Sequence, residues 1–235
     1  MNGQCSATGP DPPENVSHNI FPGTAALPRR HGCEGNSGMS KALSRMDLIQ
    51  AMQKELKYSR FIHTLGVAFT ATSLAECHGV DMRRAETAGI LHDCAKCIDV
   101  SKMEQLCDRA GYVLSPMERG NGALLHSKAG CILARDKYGI EDPEILNAIA
   151  CHTTGKPAMT ALEKIIFIAD YIEPGRESAP HLTEIRAAAF EDLDKALRMI
   201  LKDTLDYLHE GEKPVDEMTQ RTYDYYSNEI LIIPK

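Results

Sequence analysis

The 235-residue sequence predicts an all-α fold, a helical bundle preceded by a disordered arm, and three observations carry that reading. Apolar residues from Met46 to about Ser227 recur at helical spacing and nowhere alternate as a half-buried strand would. Aromatic residues are 6% of the chain and Trp is absent, so the core must rest on Leu, Ile, Ala and Met, which favours helices over a β-sandwich. Before Met39, by contrast, five of the twelve prolines and six of the seventeen glycines fall in a segment without any apolar period. The boundaries that follow are a disordered arm over 1–45, a helical domain over 46–228 and a tail over 229–235.

Taken in order, a first helix covers roughly Asp47 to Leu56 and a second runs from about Tyr58 to Cys77. The apolar run Met82, Ala85, Ala88, Leu91 is a third, ending at His92-Asp93. Ser101-x-x-Glu104 reads as a capping box that opens a short helix, closed by Gly111. The next helix spans Leu124 to Tyr138 and stops at Gly139. Asp142-Pro143 supplies an N-cap and an N1 proline for a helix ending near His152. A second capping box, Thr160-x-x-Glu163, starts the helix that carries Asp170. One long helix is expected from about Thr183 to His209, ended by Gly211 and Pro214, and a last one carries Tyr223 and Tyr226.

The net charge of -7 argues against a broad electrostatic surface for nucleic acid or anionic membrane. A polyanionic substrate would need a local site made of metal and a few cationic side chains. Eight cysteines lie scattered, without a signal segment or a dense spacing pattern, as expected of reduced thiols in a cytoplasmic protein. No apolar run reaches the ~18 residues of a membrane span, and the Asn15-Val-Ser17 sequon is then an idle match. Cys5, His18, His31 and Cys33 in the arm fit no zinc spacing, and Met39 and Met46 are alternative starts.

The chemistry gathers around Ala88-Gly-Ile-Leu-His-Asp-Cys-Ala-Lys96. His92-Asp93 offers an imidazole nitrogen and a carboxylate oxygen one residue apart, donors that can share one metal or bridge two. A His-Asp pair alone is also what a plain helix end carries. Its company is more telling: His63, His126, His152 and Asp170 each sit in an apolar helical pattern, where an unpaired carboxylate would be costly without a cation. Metal sites in bundles are assembled from inward-facing side chains of this kind. Cys94-x-x-Cys97 has redox spacing but no βαβ context, Glu173 reads as a partner of the site or as an ordinary helix-end carboxylate, and Tyr223, Tyr225 and Tyr226 are either adenine platforms or core.

The order His63, His92-Asp93, Asp170 resembles the signature of the HD superfamily of metal-dependent phosphohydrolases. More specifically, His63-Thr-Leu-Gly-Val67, Leu91-His-Asp-Cys-Ala-Lys96, His152-Thr-Thr-Gly155 and Ile168-Ala-Asp-Tyr-Ile-Glu-Pro-Gly-Arg176 are similar to the YqeK-type bacterial symmetrical bis(5'-nucleosyl)-tetraphosphatases. The resemblance covers about Asp47 to Tyr226. It departs near His126, where Ser127-Lys128 stands in place of the small residue usual there. It implies a single HD-domain bundle that hydrolyses diadenosine tetraphosphate to two ADP with iron.

In that reading His63, His92, Asp93 and Asp170 hold the metal, and His126 and His152 either hold a second ion or donate to substrate phosphate oxygens. Catalysis falls to Asp93, which orients the attacking water or bridges to a second metal, and to Lys96, which either stabilises the leaving ADP or pairs with Asp93. His63, Asp93, His126, His152, Asp170, Tyr171 and Arg176 line the nucleotide site, with Arg176 as a bidentate phosphate clamp. Mixed His and carboxylate ligands also suit Mn, Co or Zn. Two alternatives stay open: an HD phosphohydrolase for another nucleotide, and a nucleotide-binding sensor without turnover. The sequence also leaves open a homodimer.

Overall fold

The structure, a computed structural model, describes residues 43–228, so the expectations for the arm up to residue 42 and for the tail lie outside the described residues. Among the described residues there are ten helices and no strand: α1 (Arg45–Glu55), α2 (Tyr58–Cys77), α3 (Met82–Leu91), α4 (Val100–Arg109), α5 (Gly122–Asp136), α6 (Pro143–Cys151), α7 (Ala161–Ile172), α8 (Leu182–Glu191), α9 (Leu193–Glu210) and α10 (Glu217–Asn228). None of them is long and apolar enough to cross a membrane.

Two of the expected caps are present. Thr160 accepts from the Glu163 amide while the Glu163 carboxylate accepts from the Thr160 amide, and Asp142 caps α6 ahead of Pro143. A further box, Ser44 with Asp47, opens α1 two residues earlier than expected, inside the stretch assigned to the arm.

Two expectations fail. α4 starts at Val100 after Asp99, and Ser101 lies inside it, because Glu104 turns away from Ser101 to accept the Gly120 amide at 2.8 Å. The long helix from Thr183 to His209 is two helices. Asp192 takes an extended conformation (φ -150°, ψ 104°) and its carboxylate accepts from the amides of Asp194 and Lys195, ending α8 and capping α9 in one residue.

α7 is the centre of the bundle. Leu162, Ile165, Ile166, Phe167, Ile168, Ala169 and Ile172 are all buried, so the helix is apolar on nearly every face and packs on α2, α3, α6, α8 and α9. α2 and α3 lie closest together: a Cβ on Gly89 would stand 2.7 Å from the Ala68 Cα. That close approach brings the ends of α2, α3 and α7 to one place. Tyr226 is core, fully buried, with its hydroxyl accepting the Met159 amide at 2.6 Å; it is not an open adenine platform.

Candidate metal centre

His63 projects from the second turn of α2, His92 caps the end of α3 with Asp93 one residue on, His126 lies in the second turn of α5 beyond its Asn121 cap, His152 caps α6, and Asp170 lies in the last turn of α7. Five different helices thus deliver six side chains to one point. Asp93 is at its middle. Its Oδ2 lies 3.5 Å from His92 Nε2 and 4.0 Å from His63 Nε2, and its Oδ1 lies 3.2 Å from His126 Nε2 and 3.8 Å from His152 Nε2. Asp170 Oδ1 is 3.0 Å from His63 Nε2. One carboxylate therefore faces two pairs of imidazoles with its two oxygens.

The ring orientations decide what the centre can accept. His92 Nδ1 lies 2.7 Å from the Gly89 carbonyl, His152 Nδ1 2.8 Å from the Ile149 carbonyl, His126 Nδ1 3.2 Å from the Gly122 carbonyl and His63 Nδ1 3.1 Å from the Glu173 carboxylate. A carbonyl or carboxylate oxygen can only accept, so each ring carries a proton on Nδ1. In that tautomer each ring turns its Nε2 lone pair inward. The Nε2 atoms of His126 and His152 face each other at 3.0 Å, and His63 Nε2, His92 Nε2 and Asp93 Oδ1 are buried without hydrogen-bond partners. Four nitrogen lone pairs and two carboxylates converging out of water repel one another unless positive charge lies among them. A cation fits this donor set, or protons standing in for one. Two overlapping groups have the spacing for an ion: His63 with His92 and Asp170, and His92 with Asp93 and His152.

The local electrostatics agree. Burial lowers the basicity of His92, and burial together with the neighbouring His126 and His92 takes His152 down to about 3, so both stay neutral and free to ligate. Burial pushes the Asp93 and Asp170 carboxyls upward, yet positive charge among the imidazoles around them, as a proton or a cation supplies it, and Lys96 beside Asp93 hold both well below the usual carboxylate range. Lys96 Nζ lies 3.1 Å from His126 Nε2 and 3.8 Å from Asp93 Oδ1, and burial lowers its pKa.

Beside the centre opens a cleft of about 160 Å³ lined by Lys96, His126, His152, Asp170, Tyr171 and Arg176, among others. This is smaller than the ~300 Å³ or more of pockets that enclose a whole ligand, and suits phosphate groups rather than a dinucleotide. Arg176 reaches Asp170, at 3.1 Å from its Oδ1 and from its carbonyl, instead of pointing into free space. The Tyr171 hydroxyl donates to Asp203, and burial pushes the phenol up to about 12. Ser127 turns inward to the Leu124 carbonyl, so the departure after His126 leaves the histidine in place. Cys94 is buried with its thiol raised by burial and donating to the Gly130 carbonyl, whereas Cys97 is exposed.

Sequence reasoning missed Arg60, whose guanidinium donates to Asp93 Oδ2 at 2.9 Å. It stands three residues before His63 on the same helix, a spacing that puts both on one face and was there to be read. Thr153, whose hydroxyl lies 3.4 Å from both His126 and His152, was also missed.

A family model described as HD domain matches residues 60–175. The protein named symmetrical bis(5'-nucleosyl)-tetraphosphatase in Bacillus subtilis is 38% identical over 183 residues, covering 78% of this chain and 97% of that protein. Its namesake in Halalkalibacterium halodurans is 38% identical over 193 residues, 82% of this chain and 100% of that protein. Among solved structures, an HD superfamily hydrolase from Clostridium acetobutylicum, described as involved in NAD metabolism, is 40% identical with a TM-score of 0.77, covering 80% of this chain and 100% of that one.

Proposed function

Since this chain belongs to the HD-domain family, we propose that it is a metal-dependent hydrolase that cuts diadenosine tetraphosphate symmetrically into two ADP. The observation that carries the proposal is the acceptor-only centre around Asp93, in a chain that spans nearly the full length of the relatives bearing that name. His63, His92, Asp93 and Asp170 would hold the ion, which we take to be iron, with His126 and His152 placed for a second ion or for a phosphate oxygen. Bound there, such an ion polarises a phosphoryl oxygen and makes water nucleophilic at neutral pH. We place the reaction in the cytoplasm, where the six free thiols of the described residues would stay reduced.

The chain's own residues supply the rest. Asp93 is too acidic to take up a proton at neutral pH, so its work is to hold and orient; Arg60 fixes one of its oxygens and Lys96 stands 3.8 Å from the other. Lys96 and Arg176, on the wall of the cleft, carry the positive charge that a net-negative chain must concentrate locally to receive a tetraphosphate. We assign to Lys96 the phosphate that leaves as ADP, since it lines the cleft beside Asp93. Arg176 can exchange the two oxygens of Asp170 that it holds for two oxygens of a tetrahedral phosphate without leaving its place, because its fork takes a pair of oxygens in either case. The cleft holds the phosphates, and the nucleosides extend over its rim.

Product analysis tests the proposal. Diadenosine tetraphosphate should give ADP as the sole product; AMP with ATP would sink symmetric cleavage. The neighbour described as involved in NAD metabolism favours a second reading, an HD phosphohydrolase for another nucleotide, and turnover of such a substrate with none of the tetraphosphate would select it. Tight nucleotide binding without turnover of either would select the sensor.

A further inference from the structure

The six inward side chains are not held by their own helices alone, and one of them has a support that the metal reading does not use. We infer that Glu173 is a positioning residue for His63, set by a cradle built from Gly66, Gly175 and Arg186; this rests on the metal-dependent reading above.

Glu173 follows the last residue of α7 and is 4% exposed. Its Oε1 accepts from His63 Nδ1 at 3.1 Å and its Oε2 accepts from the Gly175 amide at 2.6 Å. Both oxygens are thus spent on N–H donors, and the carboxylate fixes the ring's proton on Nδ1 and its lone pair on Nε2, toward Asp170 and Asp93. Two glycines make room for it. A Cβ on Gly66, one turn along α2, would stand 2.4 Å from Glu173 Oε2, and a Cβ on Gly175 would stand 2.9 Å from Oε1 and 3.0 Å from Oε2. Neither glycine has a positive φ, so space for this carboxylate is what these positions require. Arg186 on α8 secures the turn from outside: its guanidinium donates at 3.0 Å to the carbonyls of Ile172, Glu173 and Arg176. Those carbonyls lie at and just beyond the end of α7 and have no helical partner, so the arginine acts as a cap that fixes the Glu173–Arg176 turn. The glycines and the arginine, far apart in sequence, serve one bond to one metal ligand.

Glutamine cannot replace this carboxylate. If its oxygen faces His63, its NH2 meets the Gly175 N–H, donor against donor. If its oxygen faces Gly175, its NH2 forces the His63 proton onto Nε2 and removes the lone pair from the centre. Partners of this kind are worth about 10–100-fold in metal affinity.

The test is titration of Co2+ into the chelator-stripped full-length chain, followed by calorimetry and by the visible band of the bound ion, with thermal melting of the stripped protein alongside. For Glu173→Gln the expected result is affinity weaker by about 10–100-fold and a shifted band, with the metal-free melting temperature nearly unchanged. Gly66→Ala gives a second route that leaves the charge in place: it should weaken Co2+ to a similar degree alone, and add little in a Glu173→Ala background, since the clash is then gone. Wild-type affinity in Glu173→Gln, or full additivity of Gly66→Ala with Glu173→Ala, would overturn the positioning role. If wild type itself takes up no ion, the metal reading fails first and this role goes with it, a result distinct from an intact centre indifferent to Glu173.

Discussion

Replacing Asp93 with asparagine separates what this residue does for the fold from what it does for the centre. In the metal-free protein the exchange takes the carboxylate's charge from its bond to Arg60, at a cost within the ~1.5–3 kcal/mol that bonds to charged groups are worth. It also puts an NH2 donor in place of Oδ1, a buried acceptor without a hydrogen-bond partner, 3.2 Å from His126 Nε2 and 3.8 Å from His152 Nε2. Relieving an unsatisfied buried acceptor returns about 1–3 kcal/mol. The two nearly cancel, so the stripped variant should melt within a few degrees of stripped wild type. With metal the outcome differs. An ion at one hundred times its dissociation constant stabilises wild type by about 2.7 kcal/mol, which for a chain of this size is a rise of roughly 5–10 °C. The variant has lost the carboxylate that faces both imidazole pairs, so that rise should vanish. Hydrolysis should fall by about 10³-fold or more, the scale of several kcal/mol lost from the transition state. The assay is scanning fluorimetry with and without Mn2+, beside turnover of diadenosine tetraphosphate. A variant that keeps the metal-induced rise, or more than about a tenth of wild-type turnover, would refute the arrangement built around Asp93.

Other outcomes follow from the same geometry. Lys96→Ala should lower kcat by on the order of 10²-fold with the fold unchanged, because it removes a cation from the cleft wall; equal kcat in steady-state kinetics would remove Lys96 from the chemistry. Gly89→Ala should destabilise by about 1–3 kcal/mol through its clash with Ala68, less the ~0.5–1 kcal/mol that alanine gains in a helix, and an unchanged urea midpoint would show that α2 and α3 can part freely. For pH, His152 has a folded value of about 3 against an ordinary 6.5, so below 6.5 the unfolded chain takes up a proton that the folded one does not. Stability of the stripped protein therefore falls as pH drops through the window from 6.5 toward 3, by roughly 2 kcal/mol between pH 7 and 5 from this residue alone. Asp93 and Asp170, held low, act in the same direction at more acid pH, and a flat profile from 7 to 5 in chemical denaturation would contradict the neutral, buried His152.

What the sequence revealed and what it hid have physical reasons. The caps Thr160 with Glu163 and Asp142 with Pro143 were legible because their partners lie within three residues. Ser101-x-x-Glu104 has the same pattern, but Glu104 was taken by Gly120, sixteen residues away. The break at Asp192 was hidden by its surroundings. Ala189, Leu193, Ala196 and Leu197 keep helical spacing across it and all are buried, so periodicity alone joins α8 to α9, although Asp192 is itself a strong N-cap type. The four histidines and two aspartates stood out as polar residues in apolar runs, and the fold brings all six together. Their tautomers could not be read, because each depends on which carbonyl or carboxylate a ring meets. For His63 that partner is Glu173, 110 residues away and brought near by the packing of α2 on α7.

The central claim is that the Asp93 centre holds an ion on which phosphoanhydride hydrolysis depends, and titration of the stripped full-length chain tests it most directly. Fe2+ would be added anaerobically while bound metal and ADP formed from diadenosine tetraphosphate are followed together. The account predicts no hydrolysis without metal, and recovery that rises with binding and levels off at one or two ions per chain. Full activity in the stripped protein, or saturation of the centre without any turnover, would contradict it.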